Sequence, residues 1–98
     1  IMDALKNTIN DQPFNLLQVQ KLTSGSYPEI FSIYLEKGAE FTEKGSPREA
    51  HLIVLEGEII FYINNKTYRL TTHQHFRFGK EIPHWIEAVE NSKFLIVR

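Results

Sequence analysis

Ninety-eight residues, 42% hydrophobic and 23% charged, suit one globular domain with one core and leave too little chain for two. A formal net charge of -1, with Lys and Arg scattered among the acids, offers no basic face for phosphates, so no nucleic-acid partner is expected. The absence of cysteine removes disulfides, thiolate metal sites and cysteine nucleophiles, and no apolar run nears the roughly 20 residues that span a bilayer, so a cytoplasmic chain with no membrane partner is expected.

In chain order, Asp3 to Ile9 has weak helical spacing, with Leu5 and Ile9 four apart, and Pro13 stands just beyond. This predicts a short N-terminal helix or turn within an arm over residues 1–13. Phe14, Leu16, Val19 and Leu22 mark a strand-like stretch, Thr23-Ser24-Gly25-Ser26 breaks it, and Ile30 to Leu35 reads as a strand. His51 to Leu55 and Glu58 to Ile63, separated by Glu56-Gly57, are apolar at both odd and even positions. A strand apolar on both faces needs cover on both, a barrel interior on one side and another sheet or subunit on the other, which points to a homodimer. Asn64-Asn65-Lys66 is a hairpin signal, because Asn tolerates positive φ, and Lys66 to Leu70 then alternates polar with apolar. Phe76 to Phe78, Trp85 to Val89 and Lys93 to Val97 complete the set. Short strands at near-regular spacing with no long helix give an all-β class, a closed or double-sheet antiparallel barrel over residues 14–98 in a single domain.

Two runs carry a family resemblance. Ser46-Pro47-Arg48-Glu49-Ala50-His51-Leu52-Ile53-Val54-Leu55-Glu56-Gly57-Glu58 resembles the first motif of the cupins, an apolar strand ending in a Leu-Glu-Gly-Glu turn. His73-Gln74-His75-Phe76-Arg77-Phe78-Gly79-Lys80-Glu81-Ile82-Pro83-His84 is similar to the second, with its closing Pro-His kept at Pro83-His84. The likeness runs from about Gly38 to Arg98 and is strongest to small single-domain, type 2-like (RmlC-like) cupins, many of them functionally uncharacterised. It implies a double-stranded β-helix, or jelly-roll barrel, and pairing as homodimers.

The resemblance also implies a site. Metal-binding cupins take His-x-His and a Glu from the first motif and one His from the second, a set that suits a divalent transition metal. Counted back from Gly57, those positions fall on Lys44, Ser46 and Ala50, and only His84 is retained. An ammonium, a hydroxyl and a methyl make a poor ligand set, so no metal and no cofactor is expected there; any metal would rest on His84. The resemblance instead places Lys44, Ser46 and His84 as polar contacts in a barrel mouth whose apolar lining includes Phe61, Phe76 and Ile86, with Leu52, Val54 and Phe78 as further candidates.

Other polar and aromatic residues have plainer roles. His51 lies one residue past Ala50 and so faces out of the barrel, while His73 and His75, two apart, could chelate but sit at an exposed turn. Trp85 should point away from His84 and pack as Tyr62 does. Glu40, Glu43, Glu49, Glu56 and Glu58 read as solvated charge at strand ends and turns. Glycine-rich phosphate loops and a nucleophile elbow are missing. The leading expectation is a dimeric, metal-free barrel that binds or senses a small molecule. The alternatives are a cupin-type enzyme, an oxygenase or isomerase using His84, and a structural interaction domain.

Overall fold

Every second side chain of a strand turns to the same face, and burial over residues 50–55, 58–63, 84–88 and 92–97 follows that period. The computed structural model describes residues 4–13, 15–25 and 27–98; the expectations placed on Asp3, Phe14 and Ser26 lie outside them. A four-residue helix, α1 (Thr8–Asp11), is followed by β1 (Leu17–Lys21), β2 (Ile30–Leu35), β3 (Glu40–Glu43), β4 (Ala50–Glu56), β5 (Glu58–Ile63), β6 (Lys66–Thr71), β7 (His75–Phe78), β8 (His84–Ala88) and β9 (Ser92–Val97). They form two antiparallel sheets in the orders β1-β2-β9-β4-β7 and β3-β8-β5-β6. From β2 onward the chain repeatedly crosses between the sheets, as the jelly-roll expectation requires.

The core lies between the sheets. Leu52 and Val54 from β4, Ile59, Phe61 and Ile63 from β5, Ile86 from β8 and Phe94 and Ile96 from β9 are all buried. Two turns fix the registers that aim these residues. Gly57 joins β4 to β5 at φ 89°, and a Cβ there would overlap Ser92 Oγ and the Asn91 carbonyl. Asn64 and Asn65 both adopt positive φ, 53° and 60°, as a two-residue hairpin between β5 and β6 demands.

Two elements depart from the sequence expectation. The helix begins only at Thr8, and Leu5, expected on its apolar face, is exposed. One helical turn has little intrinsic stability, and this one is held by partners from the sheet instead. Tyr34 Oη donates to the Ile9 carbonyl, Gln12 Nε2 donates to the Gln18 and Ser32 carbonyls at 3.1 Å each, and Ser32 Oγ donates to Gln12 Oε1 at 2.8 Å. These bonds tie the arm to the outer face of the five-stranded sheet. The other departure is β3, which the sequence did not announce because Glu-Phe-Thr-Glu is short and ends in acids. It pairs with β8 in the register Phe41↔Ile86, Thr42↔Trp85 and Glu43↔His84, and that pairing positions the site.

Candidate functional site

Residues directly opposite in an antiparallel pair share a face. His84 points inward, so Glu43 across from it points inward too, and their neighbours Thr42 and Trp85 point out. His84 is fully buried, with its ring 4.7 Å from Phe78 and 5.5 Å from Phe61 between centroids. Its Nδ1 stands 2.8 Å from the Ile82 carbonyl and its Nε2 stands 2.9 Å from Glu43 Oε1. Both neighbours are acceptors, so both bonds are made together only when each ring nitrogen carries a proton.

Glu43 is the hub. Its other oxygen, Oε2, accepts from Arg98 Nη1 at 3.0 Å, and the same Nη1 lies 3.5 Å from Ser46 Oγ. Burial by itself would raise the Glu43 pKa, but the hydrogen bonds and positive charge of His84 and Arg98 outweigh it and hold the carboxyl below its usual value. Arg98 also faces Glu29 at 3.5 Å, and Glu29 in turn meets Arg48 Nη2 at 2.8 Å and Lys21 Nζ at 3.3 Å. For Glu29 too, the pull of burial upward is overcome by Lys21, Arg98 and Arg48, and its pKa is lowered.

Beside this chain of charges the barrel mouth holds a cavity of about 210 Å³. Its walls are apolar, with Phe31 and Ile33 from β2, Phe41 from β3 and Ile96 from β9; Glu43 and Arg98 supply the polar end, and the half-exposed Val19 stands at the rim. Arg98 lies over the Phe31 ring, 4.9 Å from its centroid, so the guanidinium is held from the side as well as from its end. A larger groove of about 550 Å³ runs between the N-terminal arm and the outer face of the five-stranded sheet. The barrel cavity is the better candidate, because rigid strands and a charged cluster shape it whereas the groove is walled partly by the irregular arm.

The residues expected from the sequence divide accordingly. Ser46, Ala50 and His84 are buried and inward, whereas Lys44 is exposed and does not join them. The reason is parity: Glu43 takes the inward position opposite His84, and the next residue turns away. Phe61, Phe76 and Ile86 pack with the core, Phe61 being 5.1 Å from both Phe76 and Phe78, so they fill the barrel and leave the cavity to other side chains. Glu43, expected as solvated charge, is instead bonded on both oxygens, and Arg98 was not singled out at all. A signal for Arg98 did exist: Phe94, Ile96 and Arg98 form one period-2 series, which carries Arg98 to the inward face. The outward readings agree with the structure. His51 is exposed, and Trp85 is 42% exposed and stacks on Tyr62 at 4.8 Å between centroids. His73 has φ 72° in the turn before β7, so it does not share a strand face with His75.

A transition metal does not fit this constellation. His84 Nε2 already faces Glu43, Glu43 already faces a guanidinium, and the carboxylate position of the family is the buried methyl of Ala50. Among the described residues no three of His, Cys, Asp and Glu gather where they could hold a metal ion. The same geometry leaves His84 no exposed face and no nitrogen without a partner, so proton transfer between His84 and a substrate has no route in this arrangement. No helix among the described residues is long and apolar enough to cross a membrane.

Comparison with known proteins agrees with the fold. The chain is similar to a conserved protein of unknown function from Streptococcus pyogenes, SPY1581, with 26% identity, a TM-score of 0.82, and coverage of 99% of this chain and 88% of that one. It also resembles a cupin superfamily protein from Desulfitobacterium hafniense (13% identity, TM-score 0.85, covering 99% and 91%). A third likeness is to an HTH_3 family transcriptional regulator from Vibrio cholerae, at 25% identity and a TM-score of 0.72 over 83% of this chain and 49% of that chain. No curated protein matches significantly. The family profile described as Cupin domain matches residues 31–97, which take in both motifs and all the strands from β3 to β9, and the chain belongs to that family.

Proposed function

We propose that this cupin is a small-molecule-binding or sensing module, with its ligand taken into the barrel-mouth cavity. The observation that carries the reading is the cavity itself, with apolar walls from Phe31, Ile33, Phe41 and Ile96 closing on the paired charges of Glu43 and Arg98. Apolar walls supply affinity, and a few fixed polar groups supply orientation. The sensing part of the reading is supported by likeness to the Vibrio cholerae regulator, about half of whose chain this one spans. No catalytic role is proposed for His84, because its ring is enclosed and bonded at both nitrogens.

The module is also proposed to work as a homodimer. The outer face of the five-stranded sheet carries Ile30, Val97, Leu95 and Ile53 in adjacent registers. Part of that face, at Ser32 and Tyr34, is closed by the arm of the same chain. A second copy meeting the remainder by two-fold symmetry would cover the rest with the same apolar surface.

The binding reading is tested by screening a set of small amphiphilic fragments for stabilisation of the wild type and of Val19→Trp, which narrows the rim without touching the core. A ligand at one hundred times its Kd stabilises by about 2.7 kcal/mol. Such stabilisation is expected for at least one fragment with the wild type and is expected to disappear in the variant. A screen with no hits, or hits that Val19→Trp leaves unchanged, removes the barrel mouth as the binding site.

A further inference from the structure

Building on the proposal that the barrel mouth binds a small molecule, we infer that its ligand is neutral and mainly apolar, a single ring or a short chain, and that the Glu43–Arg98 ion pair turns charged molecules away. The two charges that line the cavity are bonded to each other, with Arg98 Nη1 3.0 Å from Glu43 Oε2. The other edges of both groups are engaged as well. Glu43 Oε1 stands 2.9 Å from His84 Nε2, so the carboxylate has no oxygen without a partner to offer a cation. The guanidinium lies over the Phe31 ring, and its buried Nε faces Glu29 Oε1 at 3.5 Å, so neither that face nor that edge is open to an anion.

An ion entering the mouth would give up its hydration to meet two opposite charges that already neutralise each other. Burying an ion without a partner of its own is costly, whereas a neutral apolar body gains from leaving water for the same walls.

The walls narrow the class further. Val19, Phe31, Ile33, Phe41 and Ile96 present no polar atom of their side chains. Phe31 and Ile33 lie on β2 and Ile96 on β9, both interior strands of the five-stranded sheet, so the backbone there is taken up in ladders on both sides. A hydroxylated body such as a sugar would lose its hydration without replacement. The volume, about 210 Å³, is below the roughly 300–1,000 Å³ of sites for drug-sized ligands, whereas an apolar cavity of about 150 Å³ is enough for benzene. Size therefore limits the body to a single ring or a short chain.

The test is isothermal titration of the full chain with toluene, phenylacetate and 2-phenylethylamine, which share a ring and carry no charge, a negative charge or a positive one. Toluene is expected to bind at least about tenfold more tightly than either ion, and glucose is expected not to bind. Glu43→Gln removes the negative half of the pair in the cavity wall, and in that variant phenylacetate should gain at least about tenfold while 2-phenylethylamine does not. The fold of the variant is checked by its circular dichroism; should it not fold, the order of the three probes on the wild type still decides the class. Binding of either ion as tightly as toluene, or binding of glucose, overturns the ligand class and leaves the binding cavity standing. A folded Glu43→Gln protein in which phenylacetate gains nothing overturns the role given to the ion pair. Toluene binding that Val19→Trp leaves unchanged lies elsewhere and overturns the assignment to this cavity. If none of the three binds although other fragments stabilise the protein in a Val19→Trp-sensitive way, the class alone falls; if those fragments fail as well, the cavity reading falls with it.

Discussion

Glu43 is pulled in two directions, since burial disfavours its charge while His84 and Arg98 donate to it, and the donors prevail. Its folded pKa therefore lies below the ordinary 4.5 of the unfolded chain. Between those two values the unfolded chain binds more protons than the folded one, so acid favours unfolding there. The stabilisation is complete above the unfolded pKa and is lost as pH falls through the folded value. Glu29 shifts in the same direction and adds to the same acid limb. Glu43→Gln should lower stability at neutral pH by about 1–3 kcal/mol, because buried His84 and Arg98 donors lose a charged acceptor. It should also flatten the fall in stability as pH drops through the unfolded value of 4.5 and on through the lower folded one. Urea midpoints measured across that range check both, and an acid limb as steep in the variant as in the wild type would assign the acid sensitivity to other groups.

At the scale of elements, two glycines with nearly the same backbone angle separate conformational strain from steric exclusion. Gly38 and Gly57 have φ of 85° and 89°, but a Cβ at Gly38 meets nothing within 4 Å, whereas one at Gly57 collides with Ser92 and Asn91. Gly38→Ala should cost about 1–2 kcal/mol, the conformational penalty alone. Gly57→Ala carries that penalty and also pushes β9 away from the turn between β4 and β5, so its cost should be clearly larger. Thermal unfolding of the two variants side by side decides it, and equal losses would show that the turn relaxes freely. The turn matters to the site through Ser92, whose hydroxyl accepts from the Glu58 amide at 3.1 Å and donates to the Glu90 carbonyl at 2.7 Å, tying the start of β9 to β5. The same strand ends at the cavity with Ile96 and leads into Arg98.

For the whole molecule, the five-stranded sheet has a core face and an outer face that the described residues cover only in part. The proposed dimer predicts sedimentation as two copies at micromolar concentration. Ile53→Lys, in the middle of the outer apolar row and paired across the sheet with Leu95, should yield a folded monomer. A wild type that sediments as a monomer would remove the dimer, and the outer face would then be a surface of the single chain. The binding cavity opens on the inward side of the strands, so its ligand affinity should survive Ile53→Lys.

Much of this molecule is legible from local pattern. The alternation in Glu58–Ile63 and Ser92–Val97, the Asn64-Asn65 turn and the Leu55-Glu56-Gly57-Glu58 motif identify strands, hairpin and family, because period and turn chemistry are properties of neighbours in the chain. The family resemblance implies that His84 lies inside, and strand parity then turns Trp85 outside, as both do. What the sequence left open is which residues from distant strands meet. Glu43 reads as one more surface acid until the β3–β8 register sets it opposite His84, and Arg98 reads as one more cation until Phe31 and Glu43 are brought alongside it. Register between strands about forty residues apart is decided by packing of the whole barrel, and the site is made of those long-range meetings, so only the tertiary structure could assemble it.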